Sequence, residues 1–198
     1  MASTQTRRLS PCSAHDEAGS SLLEAIVAVG LLASALASLA QMLGICIASN
    51  RSARAGSEAT VLAQQKIEQL RGLAWGIDVS GAPISDVSTN TTLPVEIPTG
   101  GTGLSLSPGN TLTSNTNGWV DYVDRSGNVL GGGAELLAGA AYVRRWVIEP
   151  LPSHPSDAIV IRVLVRPTGR RDSGNLPSSL TRRPDEARIV SIRTRKAP

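Results

Sequence analysis

The sequence contains no phenylalanine, and aromatic residues make up only 3% of its 198 residues. Proteins that bind single-stranded nucleic acid usually stack the bases on aromatic side chains. The scarcity of such side chains therefore argues against that class of function, even though the net charge is +3 and many arginines lie in the C-terminal third. We expect no nucleic-acid partner.

Residues that usually carry catalysis or bind metals are also scarce. His15 lies near the N-terminus and His154 lies among prolines, so no His/Cys cluster has the spacing of a metal site. None of the many serines has a plausible histidine partner that would activate it, and the glycines at 131–133 are not followed by a phosphate-binding lysine. Cys12 and Cys46 both precede residue 51, so a C-terminal domain would contain no disulfide. The sequence predicts neither an enzyme nor a cofactor or metal site.

One long stretch of the sequence lacks charge altogether. Residues 25–50 contain no charged side chain, and the apolar run at 22–48 is 27 residues long. About 20 apolar residues suffice for a helix to cross a bilayer, so the run predicts one transmembrane helix with Glu24 in its first turns. An ionisable side chain at membrane depth costs about 3 kcal/mol and needs a partner. The arginines at 7 and 8 are too far upstream, so we expect a neighbouring molecule to supply the positive charge.

The residues from Gly19 to Glu24 follow a specific order. Gly19 is followed by Ser20, and Glu24 is the fifth residue after Gly19, ahead of a helix of Ala, Leu, Val and Ile. This order resembles the N-terminal signal of type IV prepilins. The resemblance implies that a prepilin peptidase cleaves between Gly19 and Ser20 and methylates the new amine of Ser20, and that Glu24 pairs with the amine of an adjacent subunit during filament assembly. Most major pilins have Phe or Met in place of Ser20, and the leader is longer than the shortest ones, which points to a minor pilin or a secretion pseudopilin.

Three other interpretations of the N-terminus stay open. In an ordinary secretory signal, residues 22–32 would form the apolar region and residues 35–37 the cleavage site, although such regions rarely contain a glutamate. The run could instead be an uncleaved membrane anchor. A lipoprotein anchored through Cys46 is disfavoured because Ile45 precedes it where a small residue is needed. Two arginines flank the run on each side and do not fix its orientation, so export of the C-terminal part is implied only by the resemblance.

No proline occurs between Pro11 and Pro83, so the helix can continue beyond the apolar run, from about Ser21 to about Arg71. In its second half, apolar residues recur at steps of three and four and predict one buried stripe, and Gly72 predicts the end of the helix. The stripe consists of Ala59, Leu62, Ala63, Ile67, Leu70 and Leu73. This segment resembles the corresponding helix of pilus-modification minor pilins and of one class of type II secretion pseudopilins, although any amphipathic helix that covers a sheet would show the same pattern. The resemblance extends over about residues 19–73.

Small residues recur along the membrane half of the helix. Gly44 continues a face formed by Ala33, Ala37 and Ala40, and Gly30 lies in the same half. Small residues allow helices to approach closely in membranes, which would suit a filament core. Ordinary membrane composition explains them equally well.

The C-terminal part predicts a β-rich domain. Residues 76–118 are rich in Gly, Ser, Thr, Pro and Asn, which indicates a long surface loop with one or two short strands. Alternating residues then predict a hairpin at 119–130 and two strands, at 142–149 and 158–166, which are joined by residues 151–155. A polar loop at 169–185 follows, and the last predicted strand, at 188–195, lies at an edge of the sheet. Such a sheet needs a covering layer, and the helix stripe can supply it. The arginines of the last strand would discourage pairing at the edge.

Two charged sets in this domain have competing interpretations. Asp121, Asp124 and Asn128 invite a calcium site, but the bidentate glutamate of a calcium loop is missing, so we interpret this segment as a turn. The arginines that alternate with β-branched residues could bind DNA or an anionic surface. We predict instead that they form a solvated face of the sheet.

These observations predict an α+β, pilin-like fold. Its parts are a leader at 1–19, a transmembrane or filament-core helix at 20–50, an amphipathic continuation at 51–74 and a head at 75–198. The resemblance implies a structural subunit, a minor type IV pilin or type II secretion pseudopilin of the bacterial inner membrane with a periplasmic head. Its partners would be other pilin or pseudopilin subunits and the prepilin peptidase. The alternative is a single-pass, membrane-anchored periplasmic binding or adhesive domain that is not assembled in a filament.

Overall fold

The computed structural model describes residues 21–92, 102–168 and 183–195. Its contacts divide the chain into two units, Met1–Ile47 and Ala48–Pro198. The predicted leader at 1–19 and Ser20 lie outside the described residues. Parts of the two predicted loops, at 93–101 and 169–182, also lie outside them.

One long helix, α1, runs from Leu22 to Gly72. Its limits confirm the helix that the absence of proline predicts from about Ser21 to about Arg71. Within the first unit, the described residues after Ser21 all belong to α1. The remainder of α1 belongs to the second unit and enters its core.

After α1, the described part of the second unit contains seven antiparallel strands. They are β1 (Trp75–Ile77), β2 (Pro83–Ser85), β3 (Val120–Val123), β4 (Val129–Gly132), β5 (Tyr142–Leu151), β6 (His154–Pro167) and β7 (Ala187–Thr194). Strands β1 and β2 form a small hairpin, and the larger sheet has the order β4-β3-β5-β6-β7. The chain therefore has an α+β layout, with one long N-terminal helix and a separate antiparallel sheet.

The strand bounds confirm the predicted segments with one correction. The prediction placed residues 151–155 in a connecting loop, but β5 continues to Leu151 and β6 begins at His154, so only Pro152 and Ser153 lie between them. Leu151 pairs with His154 after a register shift next to Pro150. The reason is that backbone pairing continues through polar residues, whereas the apolar alternation that predicted the strands stops earlier.

The buried core lies between α1 and one face of the large sheet. All six residues of the predicted helix stripe are buried, with exposed fractions of at most 7%. They join one cluster with side chains of β5 and β6, namely Trp146, Ile148, Ile159, Ile161, Val163 and Val165. This contact confirms that the stripe covers the sheet, and it follows from period-two strands that present every second residue to the helix.

Part of the opposite face of the sheet is covered as well. Val120 and Tyr122 of β3 and Val143 of β5 form a second buried cluster, against which Leu137 and Ala140 pack from the connection between β4 and β5. Because both faces of β3 and β5 are covered in part, charged side chains on these strands can be buried on either face.

The predicted solvated face of arginines is wrong for three of them. Arg144, Arg145 and Arg166 are at most 6% exposed. Arg145 binds the Oδ1 atom of Asn115 from Nε at 2.8 Å, and Arg166 forms an ion pair with the buried Glu186 at 2.5 Å. Strand alternation assigns side chains to faces, but it does not report whether another segment covers a face. Buried cations then require polar partners, and these arginines have them.

Strand β7 lies at the edge of the large sheet, as predicted, but its inward arginine has a structural role. Arg193 donates from its terminal nitrogens to the carbonyl oxygens of Leu70 at 3.1 Å and Leu73 at 2.6 Å. The last carbonyls of a helix have no partner within the helix, and a cation near them also interacts favourably with the helix dipole. Arg193 therefore holds the C-terminal end of α1 on the sheet.

Candidate functional site

The first turn of α1 is closed by Ser21. The backbone N–H of Glu24 donates to the Ser21 hydroxyl oxygen at 3.4 Å, and the N–H of Ala25 donates to the Ser21 carbonyl at 3.2 Å. Serine at this position satisfies a backbone donor that the helix cannot satisfy itself. The sequence Ser-x-x-Glu also has the spacing of a capping box, so Glu24 has a local reason to stand at the start of a helix.

The carboxylate of Glu24 has no partner among the residues that the structure describes. The bond to Ser21 uses the backbone nitrogen of Glu24 and leaves its side chain free. Gly19 and Ser20, the two residues of the predicted cleavage site, lie outside the described part, so their position relative to Glu24 is not described. Glu24 thus presents one negative charge at the head of an apolar segment.

The apolar segment that follows Glu24 is exposed within the chain. Its large side chains, from Leu22 to Ile47, have exposed fractions of 47–81%. An 18-residue window of α1 has a mean hydropathy of 2.2, and α1 is long and apolar enough to cross a membrane. Exposed apolar surface of this extent needs cover from lipid or protein. The length and composition of α1 are compatible with a membrane span.

Two serine hydroxyls of this segment do not require water. Ser34 donates its hydroxyl to the Leu31 carbonyl at 2.8 Å, and Ser38 donates to the Ser34 carbonyl at 2.9 Å. A hydroxyl that bonds back to its own helix is satisfied in lipid. A Cβ atom added at Gly30 or Gly44 would meet no atom of the described residues within 4 Å, apart from the adjacent residues and backbone of its own helix. Contacts within the described chain therefore give no reason for glycine at either position, although glycine destabilises a helix by about 1 kcal/mol relative to alanine.

A lysine of α1 enters the core of the second unit. The Lys66 ammonium is completely buried, lies 2.7 Å from Asp121 Oδ2 and donates to Gln69 Oε1 at 2.9 Å. It also donates to the Thr91 carbonyl and lies 3.9 Å from the centre of the Trp146 ring. These contacts join α1 to β3, β5 and the segment after β2.

Asp121 binds a second buried cation. Arg144 donates from Nε to Asp121 Oδ1 at 2.8 Å and from Nη2 to Oδ2 at 3.0 Å, and its Nη1 donates to the Leu62 carbonyl at 3.0 Å. One carboxylate therefore contacts two cations, and the cluster has one more positive group than negative. Burial is the main cause that lowers the pKa of Lys66, and the Arg144 charge adds to it while Asp121 opposes both; together they bring the pKa to about 8. The cluster fixes the second half of α1 on the sheet at an electrostatic cost.

The two aspartates considered for calcium have separate roles. Asp121 faces the core and binds Lys66 and Arg144. Asp124 lies in the turn after β3, where its Oδ1 accepts the backbone N–H groups of Ser126 and Asn128, both at 2.8 Å. Asp124 thus forms the turn that we predicted.

A cavity of about 440 Å³ lies beside the β1–β2 hairpin. Arg195 covers the Trp75 ring at 3.8 Å and donates to the carbonyls of Gly76 at 3.2 Å and Ile84 at 2.9 Å. The cation of this cavity is therefore used to hold the hairpin, and Asp157 is the other charged residue of its lining. The cavity offers little for specific recognition.

Sequence reasoning missed the buried cluster, although one signal for it was present. Lys66 follows Ala63 by three residues and precedes Leu70 by four, so it lies within the predicted apolar stripe. A charged residue at a stripe position predicts a buried partner of opposite charge. That partner, Asp121, lies 55 positions away, and no pattern in a single sequence pairs the two.

No protein-family model, curated protein or solved structure matches this chain. The resemblance to type IV prepilins therefore depends on the residues between Gly19 and Leu73.

Proposed function

We propose that this chain is a structural subunit of the type IV prepilin kind, either a minor pilin or a type II secretion pseudopilin. In this proposal a prepilin peptidase cleaves between Gly19 and Ser20 and methylates Ser20. The mature helix then enters a pilus or pseudopilus from the bacterial inner membrane with the head on the periplasmic side. Glu24 binds the N-terminal amine of an adjacent subunit.

The single observation that carries the proposal is that the carboxylate of Glu24, at the head of an exposed apolar helix, has no partner among the described residues. A membrane anchor needs no such group, because lipid disfavours it. A filament of several copies gives it a partner, since each processed subunit has an amine four residues before its own glutamate. The exposed glycines at 30 and 44 agree with close approach between helices in such a filament.

The capping contact favours a second candidate, a membrane-anchored domain that forms no filament. Ser21 caps α1 through the backbone of Glu24. A negative charge in the first turn interacts favourably with the helix dipole and stabilises the helix by about 0.5 kcal/mol. In this alternative Glu24 is a helix-start residue, and the chain serves as a single-pass binding or adhesive domain.

The mass of the mature N-terminus tests processing directly. We expect the full chain, expressed with a prepilin peptidase, to begin at Ser20 and to carry the mass of one added methyl group. A chain that keeps residues 1–19, or that begins after Glu24, contradicts the proposed processing.

Substitutions at two positions separate charge from capping. Glu24→Gln keeps a residue suited to the capping box but removes the charge. Loss of one partner of a desolvated ion pair costs about 3 kcal/mol, or about a hundredfold in an equilibrium constant. We therefore expect Glu24→Gln to stay in the membrane fraction and to be strongly depleted from sheared filaments, while Ser21→Ala, which removes the cap and keeps the charge, still assembles. Normal assembly of Glu24→Gln would support the anchored domain instead.

A further inference from the structure

Arginines line two adjoining cavities of the second unit. Arg51, Arg54 and Arg125 line an open cavity of about 1060 Å³, in which α1 faces the turn after β3. Arg183 lines a neighbouring cavity of about 610 Å³, and Arg51 and Ala55 belong to both. Four guanidinium groups from three separate parts of the chain thus surround one continuous surface.

Two of these arginines have no acidic partner among the described residues. Arg54 pairs with Glu58 at 3.0 Å, and Arg183 pairs with Asp185 at 3.3 Å. Arg51 and Arg125 form no ion pair or side-chain hydrogen bond within the described part of the chain. The cavities therefore carry an excess of two positive charges.

The carboxylate that lines the larger cavity does not neutralise this excess. Glu58 accepts a hydrogen bond from the Tyr142 hydroxyl at 2.5 Å and another from Arg54 at 3.0 Å. These two bonds, with a smaller effect of the Arg125 charge, keep the pKa of Glu58 below its usual value. The positive charges of Arg51 and Arg125 are therefore available for an external anion.

The position of Arg51 in the sequence indicates where such an anion would be found. Arg51 is the first charged residue after the uncharged run at 25–50, and Arg54 follows one turn later. When that run spans a bilayer, both arginines lie at the boundary between lipid and water. Cationic side chains next to a membrane helix bind anionic headgroups, and a guanidinium group binds phosphate oxygens in pairs.

We propose that this arginine-lined surface binds the phosphate of an anionic phospholipid headgroup. The inference needs only the membrane anchor and does not depend on filament assembly. Its occupant is a lipid rather than a nucleic acid, because the arginines adjoin the predicted membrane boundary.

The test uses the full chain in neutral maltoside micelles. Phosphatidylglycerol replaces phosphatidylcholine at constant total lipid, and thermal unfolding of the second unit is followed by the fluorescence of Trp75, Trp119 and Trp146. A ligand that binds only the folded state raises the unfolding temperature with its concentration. Arg51→Gln and Arg125→Gln are compared with Arg71→Gln, which removes one charge from an exposed position of α1 outside both cavities. In a final series, the unfolding temperature is measured with inorganic phosphate in place of lipid.

We expect phosphatidylglycerol to raise the unfolding temperature of the wild type and of Arg71→Gln equally. Loss of either Arg51 or Arg125 should raise the half-saturating lipid fraction about fivefold, with no change in the unfolding temperature without lipid. Three results would overturn the proposal. They are the absence of any lipid effect, an equal loss in Arg71→Gln, and an equal rise with inorganic phosphate alone, which would make free phosphate the ligand.

Discussion

The buried Lys66 predicts an unusual dependence of stability on pH. Its ammonium is completely buried and its pKa is lowered to about 8, whereas the same group in the unfolded chain has a value of 10.5. Between these two pH values the unfolded state keeps a proton that the folded state has lost. The free energy of unfolding rises with pH wherever the unfolded state binds more protons. We therefore expect the second unit to become more stable from about pH 8 upwards.

The size of this rise follows from the two pKa values. The difference between 10.5 and about 8 corresponds to about 3 kcal/mol, and most of it is gained by pH 10. Above pH 10 a second group opposes the trend. Burial and the bond to Glu58 raise the pKa of Tyr142 from 10.0 to about 12, so the unfolded state loses the tyrosine proton first and stability falls. The informative window is therefore pH 7.5 to 10.

Urea unfolding of the full chain in neutral micelles, followed by tryptophan fluorescence, measures this change. The control is Lys66→Met, which removes the charge, keeps a long side chain and leaves Asp121 paired with Arg144. The two proteins share every other titrating group, so the difference between their pH profiles isolates Lys66. We expect the wild type to gain stability across the window and the variant to gain about 2 to 3 kcal/mol less. Identical slopes, or a wild type that is flat, would refute the buried charge at Lys66.

Two further predictions concern the same unit. Asp121→Asn leaves Lys66 and a neighbouring arginine buried without an anion, so unfolding at pH 7 should become easier by about 3 to 5 kcal/mol; a loss below 1 kcal/mol in urea melts would mean that the cluster is hydrated. Gly56→Ala places a Cβ atom 2.8 Å from the Pro184 carbonyl oxygen, so thermal melts should show a loss of about 1 to 3 kcal/mol. Its control is Gly44→Ala in the first unit, where the added Cβ meets no other segment of the described residues; because alanine favours a helix over glycine, this variant should show no loss, and equal losses would contradict the close approach at Gly56.

Periodicity and the absence of proline predicted α1 and the long strands of this fold. The absence of proline after Pro11 set the length of α1, and steps of three and four residues selected the stripe from Ala59 to Leu73. Alternation located the long strands and the edge position of β7. These features are local, because each follows from the spacing of apolar residues in one segment.

The features that the sequence did not predict depend on contacts between distant residues. Arg193 holds the end of α1 from a position about 120 residues further along. Arg145 is buried because Asn115, from the loop before β3, reaches it. A single strand with alternating arginines looks the same whether its polar side meets water or another segment. Burial of these charges follows from the fold and not from the pattern.

Lys66 and Glu24 show two ways in which one helix can carry an ionisable residue among apolar ones. Around Lys66 the chain itself supplies a carboxylate, a carbonyl, an amide and an aromatic ring. Around Glu24 the described residues supply only a serine that binds the backbone. The domain thus satisfies its buried charge through its own fold, at the cost seen in the pKa of Lys66. A bilayer would offer Glu24 no such groups, and in the proposed function its carboxylate binds the N-terminal amine of an adjacent subunit. That pairing distinguishes an assembling subunit from a simple anchor, and the Glu24→Gln substitution tests it without disturbing the capping serine.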